Sequence, residues 1–226
     1  MKVSLLIPVF RPPQHWLETL QQQVEWLGQQ PGVTAVELVA VIDGDAAVSV
    51  PQLLPGSIVV FRHAENTGKG FTLRAAAARA TGDVCLYTDV DLPYTTASMG
   101  QLLAALTTNQ CDIAMGIKDA SYYQNLPAFR VAISKGLRWC IQRFLRLPTD
   151  DTQCGLKGFN AAGKALFLQT TINRYLFDLE FISRSARAGL RIKPIEVNLR
   201  EGVQFHRMSW TVMWQEGWNF FKILLA

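Results

Sequence analysis

Val3-Ser4-Leu5-Leu6-Ile7-Pro8-Val9 stands near the start of the chain and is apolar at nearly every position. A strand with one wet face alternates polar and apolar residues, so a run without alternation belongs in a sheet covered by helices on both faces, the setting of parallel sheets. A helix should follow, and residues 14–29 supply it: Trp16, Leu17, Leu20, Val24 and Leu27 recur near the helical period, and Gln30-Pro31-Gly32 ends it. Working outward, the pattern predicts strands at Val36–Ile42 and Ser57–Phe61, an Ala-rich helix over 70–80 and a strand at Asp83–Thr88. Helices at 97–107, 128–146 and 177–189 and strand-like runs at 112–116, 153–159 and 191–197 continue the alternation. Such a βαβ order gives an open, mostly parallel sheet with binding loops at the carboxyl ends of its strands.

Asp89-Val90-Asp91 follows the apolar run Val84-Cys85-Leu86-Tyr87 directly, so both carboxylates leave the sheet where a ligand can be met. If the segment stays extended, residues two apart point to one side and Asp89 and Asp91 share one cation, with Val90 turned inward or lending only its backbone. Oxygen-only ligands favour Mg2+ or Mn2+, which keep several waters and bridge to substrate phosphates. An Asp-x-Asp triplet read alone is equally a solvated turn. A second segment, Asn66-Thr67-Gly68-Lys69-Gly70, opens the Ala-rich helix and offers backbone N–H groups, a positive dipole end and a lysine to an anion. It matches neither of two named phosphate loops: a Walker loop needs glycine at His63 and Ser or Thr at Gly70, and a dinucleotide fingerprint needs glycine at Leu73. By itself it reads as a helix start built from turn residues.

Taken together, Asn66 through Gly70, Arg74, Ala80-Thr81-Gly82-Asp83 and Leu86 through Leu92 resemble the family 2 glycosyltransferases. The resemblance extends to Ile7-Pro8-Val9-Phe10 at the end of the first strand and Asp43-Gly44 at the end of the second. Asp151-Thr152-Gln153-Cys154-Gly155-Leu156-Lys157-Gly158-Phe159, Phe177-Asp178-Leu179-Glu180 and Pro194-Ile195-Glu196-Val197 are similar to elements of the branch that makes dolichyl- or polyprenyl-phosphate sugars. This implies an α/β fold of GT-A type, a Rossmann-like, mostly parallel open sheet with helices on both faces, over residues 1–202. It also implies transfer of a sugar, with inversion, from a UDP- or GDP-sugar to polyprenyl phosphate, or alternatively to a sugar hydroxyl. Nucleic acid is not an implied partner. A sugar nucleotidyltransferase is a rival on a similar sheet, but it needs a glycine-rich loop where Phe10-Arg11-Pro12-Pro13 stands.

The resemblance also assigns residues. Pro8, Phe10 and Asp43 would line the nucleoside pocket; Lys69, Asp89, Val90, Asp91 and Arg200 would meet the donor, with Asp89 and Asp91 holding the metal. Lys118, Arg130 and Ser134 would receive the acceptor phosphate, while Asp151 and Gln153 would stand beside the transferred sugar as catalytic positions with Asp91. A physical reason supports one pair: positions 130 and 134 are one helical turn apart, and arginine grips phosphate oxygens through two parallel hydrogen bonds. Two departures stand out. Arg11-Pro12-Pro13 replaces an acidic residue common in that branch, and Pro93 stands where a polar side chain is common, so a third protein ligand to the metal must come from elsewhere or from water.

The 226 residues, 49% hydrophobic, suffice for one substantial core. The net charge of +4 suits an anionic partner. Cys85, Cys111, Cys140 and Cys154 are far apart and lack zinc spacing, so reduced thiols are expected. No stretch reaches the ~18 apolar residues of a membrane span, and no signal peptide is recognisable, so the expected location is the cytoplasm. Residues 203–226 form an aromatic-rich tail in which Trp210, Trp214 and Trp218 recur every four residues. On a helix they make one stripe, which reads either as a peripheral anchor on the cytoplasmic membrane face or as a helix packed on the sheet.

Overall fold

A computed structural model describes residues 1–51, 54–118, 135–136, 138–145, 147, 149, 151–200 and 219–224. Arg130, Ser134 and the tail tryptophans lie outside them, and so do residues 128–134, 137 and 146 of the helix expected over 128–146.

Seven strands form one sheet: β1 (Lys2–Val9), β2 (Ala35–Asp43), β3 (Ile58–His63), β4 (Val84–Tyr87), β5 (Ile113–Lys118), β6 (Lys157–Asn160) and β7 (Ile192–Val197). Their order is β3-β2-β1-β4-β6-β5-β7, and all but β6 run the same way. Helices α1 (Trp16–Gly28), α2 (Lys69–Arg79), α3 (Thr96–Thr107), α4 (Ala161–Phe167) and α5 (Phe177–Arg187) cover both faces. The fold is the mostly parallel α/β type that the apolar first strand predicts.

Burial along β1 shows why no alternation is visible in its sequence. Val3, Leu5, Ile7 and Val9 join one core with Leu17 and Leu20 of α1 and Leu102 and Leu106 of α3, while Leu6 faces the other core with Leu73 and Ala77 of α2 and Phe181 of α5. Each such fully buried aliphatic side chain contributes ~1.5–3 kcal/mol over exposure. Pro8 does not interrupt the sheet, because the β1–β4 ladder ends at Leu6 opposite Tyr87. Under the carboxyl end of β4, Tyr87, Phe159, Phe167, Phe177 and Phe181 form a contiguous aromatic cluster.

Three differences from the sequence reading have local causes. The strand expected over 153–159 begins only at Lys157 and runs antiparallel; residues 151–156 are irregular because their polar groups bond to β5 and to the turn after β4. Helix α4 was unanticipated, although its start is written in Asn160, whose Oδ1 accepts from Ala162 and Gly163 N–H at 3.0 and 3.1 Å. In place of an unbroken helix end, Ile141–Leu145 forms a π-helical turn. Among the described residues, no helix is long and apolar enough to cross a membrane. Within the tail, residues 219–224 are helical, and Ile223 is buried in the core shared with α5, its carbonyl accepting from Arg187 at 3.3 Å.

The amino edge of the sheet is closed by Glu37. Its carboxylate accepts from Ser4 Oγ at 2.6 Å, from Thr81 N at 2.6 Å and Oγ1 at 2.7 Å, and pairs with Lys2 at 2.8 Å. Burial opposes the charge, yet the bonds from Lys2, Ser4 and Thr81 outweigh it and hold the pKa down at about 2. A depressed carboxyl pKa stabilises the fold fully above the unfolded value and loses that contribution as pH falls through the folded one. Glu37→Ala is therefore expected to lower stability by ~2 kcal/mol at neutral pH. In urea titrations its deficit should shrink as pH approaches about 2.

Candidate active site

The carboxyl edge gathers the ends of β1, β2 and β4 and, because β6 is antiparallel, the segment that enters it. After Pro8 and Val9, Phe10 is 45% exposed, with the Arg11 guanidinium 5.1 Å from its ring centre. β2 ends on Asp43, which is buried and turned inward rather than toward open solvent. Its Oδ1 accepts from Thr67 N and Oγ1, both at 2.7 Å, and its Oδ2 accepts from Gly68 N at 2.9 Å. Burial would raise its pKa, but the donors from Thr67, Gly68 and His63 prevail and lower it. Asp43 thus fastens the turn at 66–68 to the end of β2. Gly44 is obligatory beside it: at φ 69° a Cβ would stand 2.1 Å from Asn66 N.

Helix α2 starts from that turn. Gly70 N and Phe71 N both donate to Asn173 O, at 2.8 and 3.4 Å, so these N–H groups dock the helix on the loop before α5. The turn-built helix start, and not a phosphate cradle at those two amides, is what forms. Arg74 reinforces the docking by donating to Ile172 O at 2.8 Å and to Asn173 Oδ1. Lys69, the first helical residue, sends its ammonium to Asp89 Oδ1 at 2.5 Å. Desolvation alone would lower the pKa of this amine, but the charges of Asp89 and Asp178 overcome it, and the pKa is raised.

The carboxylate pair does not stay extended. Leu92 N donates to Asp89 O at 3.0 Å and Leu92 has φ 45°, so residues 89–92 form a turn, and strand alternation does not bring the two carboxylates to one side. The turn instead leaves Asp91 exposed and Asp89 half-buried, while Val90 packs against the core. Next to the pair, Thr88 Oγ1 is buried without a hydrogen-bond partner among the described residues. Pro93 has a role its side chain does not announce: its carbonyl accepts from Arg200 N at 2.8 Å, Tyr94 bridges Leu199, and Thr95 N donates to Asn198 O. These bonds bring the backbone of Arg200, more than a hundred positions away, beside the carboxylate turn.

The segment 151–156 completes the edge. Asp151 is buried, its Oδ2 accepting from Lys118 N at 2.8 Å, and Lys118 Nζ donates to Gln153 O at 3.3 Å. Gly155 N donates to Tyr94 Oη at 2.9 Å. Gly155 lies so close to the pair that a Cβ there would meet Asp89 Oδ2 at 2.6 Å and Lys69 Nζ at 3.4 Å. Lys69, Asp89, Gly155, Tyr94 and the 198–200 strand end are thereby one connected constellation, with Lys118, Asp151 and Gln153 adjoining it. Of these, Tyr94 and Gly155 were not singled out in the sequence. Tyr94 carries no motif signal; Gly155 lies inside the 151–159 family element, and its need for glycine shows only in the closeness of Asp89.

Among the described residues, no three metal-ligating side chains converge. The candidate oxygen ligands are the carboxylates of Asp89, half-buried and paired with the Lys69 ammonium, and of Asp91, exposed on the same turn. Oxygen ligands of this kind would suit Mg2+ or Mn2+, which complete their shells with water and phosphate oxygens.

Comparison with known proteins bears on this arrangement. Glycosyltransferase AglD of Haloferax volcanii is 26% identical over 205 residues, covering 88% of this chain and 33% of its own length. A dolichyl-phosphate beta-glucosyltransferase of Trichomonas vaginalis is 24% identical over 216 residues, covering 88% of this chain and 66% of its own. The chain thus spans a third of one relative and just under two thirds of the other. Glucosyl-3-phosphoglycerate synthase of Mycobacterium tuberculosis, solved with Mn2+, UDP and glucosyl-3-phosphoglycerate, shares the fold at TM-score 0.63 and 14% identity, over 99% of this chain and 78% of that one. The sheet is of the GT-A type, and with the model of glycosyl transferase family 2 matching residues 4–176, the chain belongs to that family.

Proposed function

We propose that this glycosyltransferase is metal-dependent and inverting, and moves a hexose from a UDP- or GDP-sugar to a polyprenyl phosphate. The observation that carries the reading is the convergence of Lys69, the Asp89–Leu92 turn, Gly155 and the 198–200 strand end on one edge of the sheet. Pro8 and Phe10 offer an apolar rim to the nucleoside, and Asp43 acts one step back, holding the 66–68 turn from which Lys69 projects. Asp91 and Asp89 hold the divalent cation, which when bound neutralises diphosphate charge and eases its departure. Lys69 and Arg200 bring further positive charge to the same diphosphate. The acceptor oxygen attacks the anomeric carbon opposite the leaving group, with Asp151, Gln153 and the Val90 backbone bordering the sugar.

Two points support a phosphate acceptor. The Trichomonas relative is a dolichyl-phosphate glucosyltransferase. A hydroxyl acceptor needs a base, whereas a phosphate monoester with second pKa near ~6 is already ionised at neutral pH. The carboxylates that could supply that base, Asp178, Glu180 and Asp151, are engaged internally: Asp178 with Lys157 and Tyr87, Glu180 with Thr171 N, Ile172 N and Arg184, and Asp151 with Lys118 N. Lys118, Arg130 and Ser134 are the proposed phosphate receivers, and the aromatic tail adds a peripheral contact with the membrane surface that carries the lipid.

Arg130→Ala is expected to raise KM for a short-chain polyprenyl phosphate by about 10-fold or more, the worth of a charge-assisted hydrogen bond, while donor KM changes little. Steady-state kinetics in both substrates measure this. Efficient transfer to a neutral saccharide, with polyprenyl phosphates left untouched, overturns the acceptor assignment.

A further inference from the structure

Directly behind the carboxylate turn lies a set of buried polar side chains that the proposed chemistry does not use. Lys157 is fully buried at the first position of β6, and Asp178 is 4% exposed on the first turn of α5. Lys157 Nζ stands 2.9 Å from Asp178 Oδ1 and donates to Cys154 O at 2.5 Å. The hydroxyl of Tyr87, also fully buried, donates to the same Asp178 oxygen, and its ring lies 5.6 Å from the Lys157 ammonium. Core architecture gives no reason for such groups here. The surrounding side chains are Phe159, Phe167, Phe177 and Phe181, and a buried ion pair contributes no more to stability than well-packed apolar residues of the same volume.

The peptide these groups hold explains their presence. Cys154 O, fixed by Lys157, immediately precedes Gly155, whose N–H is fixed by Tyr94 Oη at 2.9 Å and where a Cβ would stand 2.6 Å from Asp89 Oδ2 and 3.4 Å from Lys69 Nζ. The preceding carbonyl, Gln153 O, accepts from Lys118 Nζ at 3.3 Å. Two lysines therefore clamp consecutive carbonyls of one irregular segment, the one that backs the Lys69–Asp89 pair. Asp178 serves twice in this arrangement, neutralising Lys157 and acting on Lys69 through its charge.

We infer that Lys157, Asp178 and Tyr87 are positioning residues of the donor site: they fix the Cys154–Gly155 peptide, and through it the Asp89 carboxylate proposed to hold the cation and the Lys69 ammonium proposed to meet the donor diphosphate. This assigns Asp178 a role behind the site and removes it from the acceptor chemistry. Charge signs alternate from the surface inward, Asp89, Lys69, Asp178, Lys157, so each buried charge has an opposite neighbour. The inference rests on the donor-site reading of the preceding section.

The test uses the whole chain, with calorimetric titration of UDP and of GDP in MnCl2 as the binding readout and thermal melting as the folding readout. Lys157→Met alone leaves Asp178 buried without its cation and should lower Tm. The double variant Lys157→Met/Asp178→Asn removes both charges and should recover most of that Tm. The inference predicts that the double variant nonetheless binds the preferred nucleoside diphosphate about 10-fold or more weakly, because a displaced carboxylate is not restored by stability. Recovery of both Tm and affinity overturns it and makes the trio structural only. Should the double variant not fold, Tyr87→Phe decides: weaker binding at near-native Tm upholds the inference, and native binding sinks it. Wild-type protein that binds neither nucleotide with Mn2+ refutes the donor-site reading itself, and the inference falls with it.

Discussion

Asp91→Asn is expected to lower the rate of sugar transfer about 100- to 1,000-fold, with the unfolding midpoint unchanged. The exposed carboxylate contributes little to packing, so a neutral isostere is tolerated by the fold. Its charge is what the proposed chemistry requires, because the leaving diphosphate must be neutralised where charge develops on it. Initial rates at saturating donor and metal, with urea unfolding as the control, measure both quantities. Near-native turnover by the asparagine variant removes Asp91 from the mechanism.

Gly155→Ala should be almost as damaging for a different reason. The added methyl would stand 2.6 Å from Asp89 Oδ2 and 3.4 Å from Lys69 Nζ, closer to the carboxylate than real Cβ contacts come, so the ion pair must shift. Misplacement by a fraction of an ångström at a charged site translates into a donor KM raised about 10- to 100-fold. Gly28→Ala is the matched control, since a methyl at the end of α1 meets nothing within 4 Å. Equal kinetics for the two variants contradict the placement of Gly155 against the donor-binding groups.

The sheet was legible because burial on both faces leaves a direct trace in residue type: Val3 through Val9 and Val84 through Tyr87 have apolar residues where a half-wet strand needs polar ones. Patterns of that kind do not report strand direction. Residues 153–159 read as one more strand, and only the tertiary pairing of Lys157 with Tyr87 and of Asn160 with Val84 makes the strand that forms, Lys157–Asn160, antiparallel. Asp89 and Asp91 were legible as a pair, yet their geometry was not. The turn depends on a left-handed Leu92, a conformation that leucine does not advertise.

Other site relations are long-range and leave no local mark. Arg200 reaches the carboxylate turn through Pro93 O, and Tyr94 reaches Gly155 across 61 positions. Asp43 illustrates the opposite limit. A carboxylate at a strand end followed by glycine points to a loop anchor as readily as to a ligand contact, and only its three accepted hydrogen bonds disclose the anchor.

The most direct test of metal-dependent glycosyl transfer is mass spectrometry of products formed by purified protein from UDP- and GDP-hexoses and a short-chain polyprenyl phosphate, run in parallel with Mn2+ and with excess EDTA. A polyprenyl-phosphate hexose, released together with one nucleoside diphosphate, is expected in the Mn2+ reaction and none in the chelated one. Undiminished product in EDTA contradicts the assignment of Asp89 and Asp91 to a divalent cation.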